Sequence, residues 1–470
     1  MKRGIILIHN DILHYSILSL FSIFVIFSFY LCANRYFIHP DASYYLGVSY
    51  LLLDGKVPFV DFRVGYTPLS FYLMCIPLKI IGKKFATAII VLYTIHLINT
   101  LLLFLILRKQ KVSLKWAWFG SLLFIMNCFV FEGLFYVLEP FVVLFGLLSL
   151  FFVQRNTKKD LLLAGLFCAC SFLCKQYGLG FLCLNVIYVV VQNNYSKHGV
   201  RGFFFILSGF IVGIVLFVMT MMAQGVTPAQ MLDLSGSNYE KNGLGSFISA
   251  WIYLLKRVAP VYLAMSVAAW YYKKVIRNGF WIVSLFGIIG FVLPCMVRFY
   301  IHYLLLALPF IVFLVVYSIS QIQNKHFKVA YIILLIVTTL RPFVYIIETD
   351  RRLINEDLRK EQEMTSQKIA EYIPLNQPNV FVSSRALPIS LINSYQPPLL
   401  GKYGMSNGFV DRPEEVMDLL THSDFALLTG TDRDNQRLRY TPAVKDYLAN
   451  SFNLKKIQAG NENFYIYVKK

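Results

Sequence analysis

The sequence predicts a mainly α, polytopic membrane protein of about 11 transmembrane helices, with an outer-face loop after the first span and a small C-terminal α/β domain. Three observations predict it. The 470-residue chain is 57% hydrophobic, with a mean hydropathy of +0.60, which is too apolar for a soluble chain of this size. Apolar runs near the bilayer-spanning length of about 20 residues recur along residues 1–347. After Ile347 the composition turns polar at once.

The runs fall near 12–33, 86–107, 114–132, 136–153, 160–175, 177–192, 203–223, 258–272, 280–297, 303–320 and 328–347. The first follows a basic N-terminus, is long, and lacks a small-residue cleavage site, so it reads as a retained span and not as a signal peptide. The stretch 69–82 is too short to cross, reaching about 21 Å as a helix against a hydrocarbon core of about 30 Å.

Charge sets the orientation. The formal net charge is +19, and residues 348–470 hold 16 basic and 16 acidic residues, so the whole excess lies in 1–347. With 69–82 at the outer interface and the N-terminus inside, the short inner loops collect 16 basic residues against Asp11 and Asp160, as the positive-inside rule requires. A basic membrane part fits anionic lipid and calls for no nucleic acid. All eight cysteines lie in 1–347. Cys168, Cys170 and Cys174 sit in an apolar run and read as packing residues, not metal ligands.

The loop after the first span runs I-H-P-D-A-S-Y-Y-L-G-V-S-Y-L-L-L-D-G-K-V-P-F-V-D-F-R-V-G-Y-T-P-L-S-F-Y, from Ile38 to Tyr72. Asp41, Asp54 and Asp61 are three of only nine acidic residues in 1–347. Carboxylates at a membrane face are costly to desolvate and need a reason to be there. A helix is expected from Asp41 to Leu53, broken by Asp54-Gly55 and Pro58, with Pro68 opening the next.

In this orientation Asp41, Asp54, Asp61, Glu132, Glu139, Lys175, Arg298 and His302 fall at the outer ends of spans. So does the loop 224–257, which reads as a mobile lid, an acceptor groove or a solvated connector. In 348–470, Val380–Val382, Phe425–Leu428 and Phe464–Val468 read as strands, 351–373, 413–421 and 441–450 as helices, and no nucleotide-binding glycine pattern follows a strand.

The loop motifs resemble those of the GT-C class of integral-membrane glycosyltransferases, namely the bacterial relatives of the protein O-mannosyltransferases and of the lipid A aminoarabinose transferase. The resemblance runs through Asp41 with Tyr44 and Tyr45, Leu51–Gly55, Pro58–Phe62 and Tyr66–Leu69; beyond the loop it is one of layout. It implies a GT-C-like domain over 1–347, an external α/β domain over 348–470, and sugar transfer from a polyprenyl-phosphate donor to a glycan, lipid or protein acceptor at the outer face of the cytoplasmic membrane. The rival readings are a polymerase or ligase of polyprenyl-linked saccharides, and a flippase or transporter of them. A transporter is expected to show paired repeats with helices broken at mid-membrane, and no such repeat is visible.

The resemblance places the catalytic base at Asp41, whose alternative is the N-cap of the following helix. Asp61 would orient Asp41, bind acceptor or help hold a divalent cation, or serve only its turn. Glu139, in Tyr-Val-Leu-Glu-Pro, is the third catalytic candidate; otherwise it is a first-turn acid favoured by the helix dipole. Lys175 in Cys-Lys-Gln-Tyr-Gly, with Arg298 and His302 four residues apart, are the candidates for the phosphate, arginine by its bidentate fork. The alternative for the two long cations is snorkelling to headgroups. Tyr66 joins the substrate-binding candidates, although some members carry a lysine in this loop whose lipid-phosphate role is not carried onto it. The remaining aromatic side chains, among 41 Phe and 30 Tyr, read as interfacial belts and lipid-facing surface. No cofactor is assigned, and a metal requirement is left open.

Overall fold

The computed structural model describes residues 40–62, 64–83, 85–131, 133, 136–193, 197–232, 245, 248–252, 279–293, 300–334, 337, 360, 364–365, 367–369, 371–373, 380–383, 405–406, 417–418, 420–429, 442–459 and 462–470. The expected first span 12–33, the span 258–272, Glu132, Arg298 and residues 233–244 of the long loop lie outside the described residues.

The described membrane part is a helical bundle. Its elements are α1 (Pro40–Leu53), α2 (Leu69–Ile81), α3 (Phe85–Lys109), α4 (Leu114–Val130), α5 (Glu139–Val153), α6 (Lys158–Cys174), α7 (Leu179–Gln192), α8 (Lys197–Ala223), α9 (Pro228–Leu232), α10 (Gly279–Val292) and α11 (Leu308–Gln321). Short 3-10 turns, Gln176–Gly178 and Ile301–Leu306, precede α7 and α11. Seven of the expected runs thus coincide with helices. The run 303–320 does not form one continuous helix, because it begins as a 3-10 turn before Pro309 opens α11.

The expected count of eleven spans is not reproduced among the described residues. Two helices, Phe85–Lys109 and His198–Ala223, are long and apolar enough to cross a bilayer by length and composition; the other apolar helices have 17 residues or fewer. At 1.5 Å per residue α3 extends about 37 Å and α2 about 20 Å.

Packing follows the small residues. A Cβ on Gly165 of α6 would lie 2.0 Å from the carbonyl oxygen of Ile206, and one on Gly209 of α8 would lie 2.0 Å from that of Leu162. The two backbones therefore touch at two points, the close approach that glycine permits between membrane helices. α8 also presents Phe204, Leu216 and Met219, all more than half exposed. An apolar outer face of this kind suits hydrocarbon.

Polar side chains inside the bundle are used locally. Asn185 of α7 donates to Ser149 Oγ at 2.8 Å and lies 3.0 Å from Cys168 Sγ, joining α5, α6 and α7. Cys168 is buried, as its reading as a packing residue requires.

Residues 380–469 form a five-stranded sheet of β1 (Val380–Ser383), β2 (Met405–Ser406), β3 (Phe425–Thr429), β4 (Phe452–Ala459) and β5 (Glu462–Lys469), ordered β2-β1-β3-β5-β4. β1 pairs parallel with β2 and β3, whereas β5 is antiparallel to β3 and β4. The helix α12 (Pro442–Ser451) lays Val444 and Leu448 among Ala426, Leu428, Tyr465 and Tyr467. Alternation along β3 and β5 buries Leu427, Phe464 and Ile466 as well, on the other side. The three expected strands are present; β2 and β4 were not anticipated.

Candidate functional site

Asp41 is the second residue of α1, and its side chain lies outside the described residues. α1 ends where Asp54-Gly55 breaks it. Gly55 takes φ 82°, a conformation open to glycine at little cost, and the amides of Gly55 and Lys56 close back on Leu52 and Leu51. Asp54 is exposed and pairs with Lys83. Asp61 is also exposed, and its Oδ2 accepts the amide of Val57 at 2.6 Å, while the amide of Phe59 donates to the carbonyl of Phe62. Asp61 therefore closes its own turn in this structure.

The loop then runs over the junction between α6 and α7. Lys175 leaves the helix with φ −163° and ψ 140°, and a 3-10 turn follows. This sharp re-entry brings Gly178 onto α6 so closely that a Cβ there would lie 2.2 Å from the carbonyl carbon of Ser171. The glycine in Lys-Gln-Tyr-Gly is thus a steric requirement. The junction holds the loop by three hydrogen bonds: Gln176 Nε2 to Gly65 O at 3.3 Å, Thr67 Oγ1 to Phe172 O at 2.8 Å, and Ser70 Oγ to Cys174 O at 3.3 Å.

The break turns Lys175 inward. Its side chain is wholly buried, and Nζ donates to Glu139 Oε1 at 2.5 Å. Glu139 is equally buried at the first turn of α5, where the helix dipole favours a carboxylate. His302 Nε2 lies 4.0 Å from the same oxygen. Among the described residues, Glu139 Oε2 has no hydrogen-bond partner. Three rings surround the ammonium: Tyr303 at 4.6 Å from Nζ to centroid, Tyr66 at 4.8 Å and Tyr177 at 5.6 Å. Burying an ion pair costs several kcal/mol per ion; cation–π contacts, each worth about 2 kcal/mol when desolvated, help to offset it.

The structure thus brings together four of the candidates from the sequence, Glu139, Lys175, His302 and Tyr66, from four separate segments. Snorkelling does not describe Lys175, which has no path to a headgroup at zero exposure. The sequence reading named Tyr66 but left Tyr136, Tyr177 and Tyr303 among the interfacial aromatic residues. Tyr303 is buried beside the charged pair, and Tyr45 and Tyr136 are buried behind Tyr66, Tyr45 meeting Tyr66 edge-on at 5.7 Å and Tyr136 at 6.4 Å. Tyr177 and Tyr303 meet at 5.1 Å. Adjacency carried some signal, since Tyr177 and Tyr303 lie within two residues of Lys175 and His302. Among the described residues, no group of three or more His, Cys, Asp or Glu side chains is placed to hold a metal ion.

No protein-family model matches the chain, and no curated protein sequence matches it. Solved structures do. The chain superposes on the crystal structure of ArnT from Cupriavidus metallidurans bound to undecaprenyl phosphate with a TM-score of 0.64 and 12% identity, over 96% of this chain and 97% of that one. The apo form of the same enzyme gives 0.63 at 12% identity, over 96% and 98%. The archaeal oligosaccharyltransferase AglB from Archaeoglobus fulgidus, in complex with an inhibitory peptide and a dolichol-phosphate, gives 0.51 at 10% identity, over 97% of this chain and 74% of that one. The fold is therefore the one that these solved structures share.

Proposed function

We propose that the chain is an integral-membrane glycosyltransferase that takes a sugar from a polyprenyl-phosphate lipid and passes it to a hydroxyl of a glycan, lipid or protein acceptor. The observation that carries this reading is the convergence of Glu139, Lys175, His302 and Tyr66 beneath the 54–68 loop, in a fold shared with proteins crystallised with undecaprenyl phosphate and dolichol-phosphate.

In the proposed reaction the acceptor oxygen attacks the anomeric carbon. The bond from that carbon to the phosphate oxygen breaks, and the polyprenyl phosphate leaves with the electron pair. The acceptor proton passes to the Asp41 carboxylate, which acts as general base. Arg298 and His302 hold the developing phosphate charge, the arginine through its fork. Lys175 is already matched by Glu139, so its role is to keep the pocket wall fixed and locally neutral. Asp61 shapes the loop that carries the acceptor side of the site. The pocket opens at the outer face of the cytoplasmic membrane, with residues 348–470 as an external domain beside it.

Mass spectrometry of the lipid that co-purifies with the protein in mild detergent tests the reading. A polyprenyl phosphate, free or glycosylated, is expected. A preparation that neither retains such a lipid nor takes up added undecaprenyl phosphate would contradict it.

A further inference from the structure

The α6–α7 junction and the 65–70 loop meet through Gly65, Thr67 and Ser70 by hydrogen bonds, and through Tyr66 by its ring over the Lys175 ammonium. Tyr66 also reaches the other way. Its ring meets Tyr45 edge-on at 5.7 Å, and Tyr45, with 3% exposure, is packed within α1 against Tyr136 and Phe71. Tyr45 lies four residues after Asp41, one helical turn along the same face. Contacts therefore run unbroken from Glu139 through Lys175 and Tyr66 to Tyr45, and along one turn of α1 to the backbone of Asp41.

We infer that Tyr66 is a positioning residue, whose ring ties the buried Glu139–Lys175 pair to the helix that carries Asp41; this rests on the proposed function for its catalytic consequence. The ring suits the task on two sides at once. Its face attracts the ammonium, and the T-shaped contact joins it to the ring of Tyr45. An aliphatic side chain fills the space but keeps neither contact. The inference assigns Tyr66 to alignment of the loop and not to the grip on the lipid phosphate.

Two measurements test it. The first needs no substrate: a double-mutant cycle in thermal unfolding with Tyr66→Leu and Lys175→Met in the full-length protein. Directly coupled residues are expected to give a double variant whose loss of Tm falls short of the sum of the single losses; additive losses would overturn the coupling. The second is a kinetic split. Tyr66→Leu is expected to lower kcat by about tenfold to a hundredfold, the effect that about an ångström of misplacement produces, with KM for the donor unchanged. Tyr66→Phe should recover most of that loss. A rise in donor KM in both Tyr66→Leu and Tyr66→Phe would mean that the hydroxyl binds substrate, and would overturn the assignment. Additive losses beside an active wild type would remove this inference alone, whereas a wild type inactive with every polyprenyl-phosphate sugar would remove the proposed function itself.

Discussion

Lys175 and Glu139 face each other at 2.5 Å with no solvent exposure on either side chain. The pair sits where α6 ends and α5 begins. A lysine held this way is a strut between the end of α6 and the start of α5. Its charge is matched before any ligand arrives.

Single removals of the pair should therefore be costly. Glu139→Gln or Lys175→Met leaves one buried charge without its partner, a change worth about 3–5 kcal/mol of stability. The double variant should regain a large part of the loss, because it leaves no charge behind. Thermal unfolding in detergent reads this directly, and losses that simply add would contradict the strut.

Gly178 should tolerate no side chain. A Cβ there would lie 2.2 Å from the Ser171 carbonyl carbon, so Gly178→Ala must shift the turn that aims Lys175, at a cost of about 1–3 kcal/mol as for other overpacked sites. Gly290 of α10 has open space around its Cβ position, and Gly290→Ala is the matching control. It should leave Tm unchanged or raise it, since alanine is the better helix former. Equal losses at both positions would show that the close approach at Gly178 is relieved by other means.

Much of this was legible in the sequence, for identifiable reasons. The helices announced themselves through apolar runs bounded by charge, and Glu139, Lys175 and His302 stood out as charged or titratable residues at the ends of such runs. The strands β1, β3 and β5 showed through β-branched and aromatic residues. β4 did not, because Asn453, Lys455 and Lys456 make it a charged edge strand, the kind of decoration that prevents edge pairing. The tyrosine ring around Lys175 was hidden for another reason. Tyr66, Tyr177 and Tyr303 belong to three separate segments, and no local pattern says that their rings converge. Partner choice was hidden likewise, since Glu139 and Lys175 are 36 positions apart.

Orientation in the membrane rests on the basic inner loops. Cysteines introduced at Asn156 and Asn435, in a background without native cysteines, should behave oppositely on intact cells. Position 435 is expected to react with an impermeant thiol reagent and position 156 to stay protected. The reverse pattern would turn the molecule over and place the pocket on the wrong face for an external acceptor.

Arg298 is expected to carry the phosphate. Arg298→Ala should weaken use of a polyprenyl-phosphate donor by about 2–5 kcal/mol, as loss of a desolvated charge partner does. Arg298→Lys should restore part of it, because the charge returns without the fork. Wild-type donor dependence in both variants would place the phosphate elsewhere.

Whether Asp41 is the base in sugar transfer is decided by the turnover of Asp41→Asn. Asparagine keeps the size of Asp41 at the second position of α1, so membrane yield and Tm should stay near the wild type. What it lacks is the proton acceptor, and transfer from a polyprenyl-phosphate sugar should fall by about 10²–10⁴. Asp54→Asn is the control, since Asp54 pairs with Lys83 at the exposed end of α1, and its turnover should change little. A well-folded Asp41→Asn protein that transfers sugar at the wild-type rate would show that Asp41 is not the base.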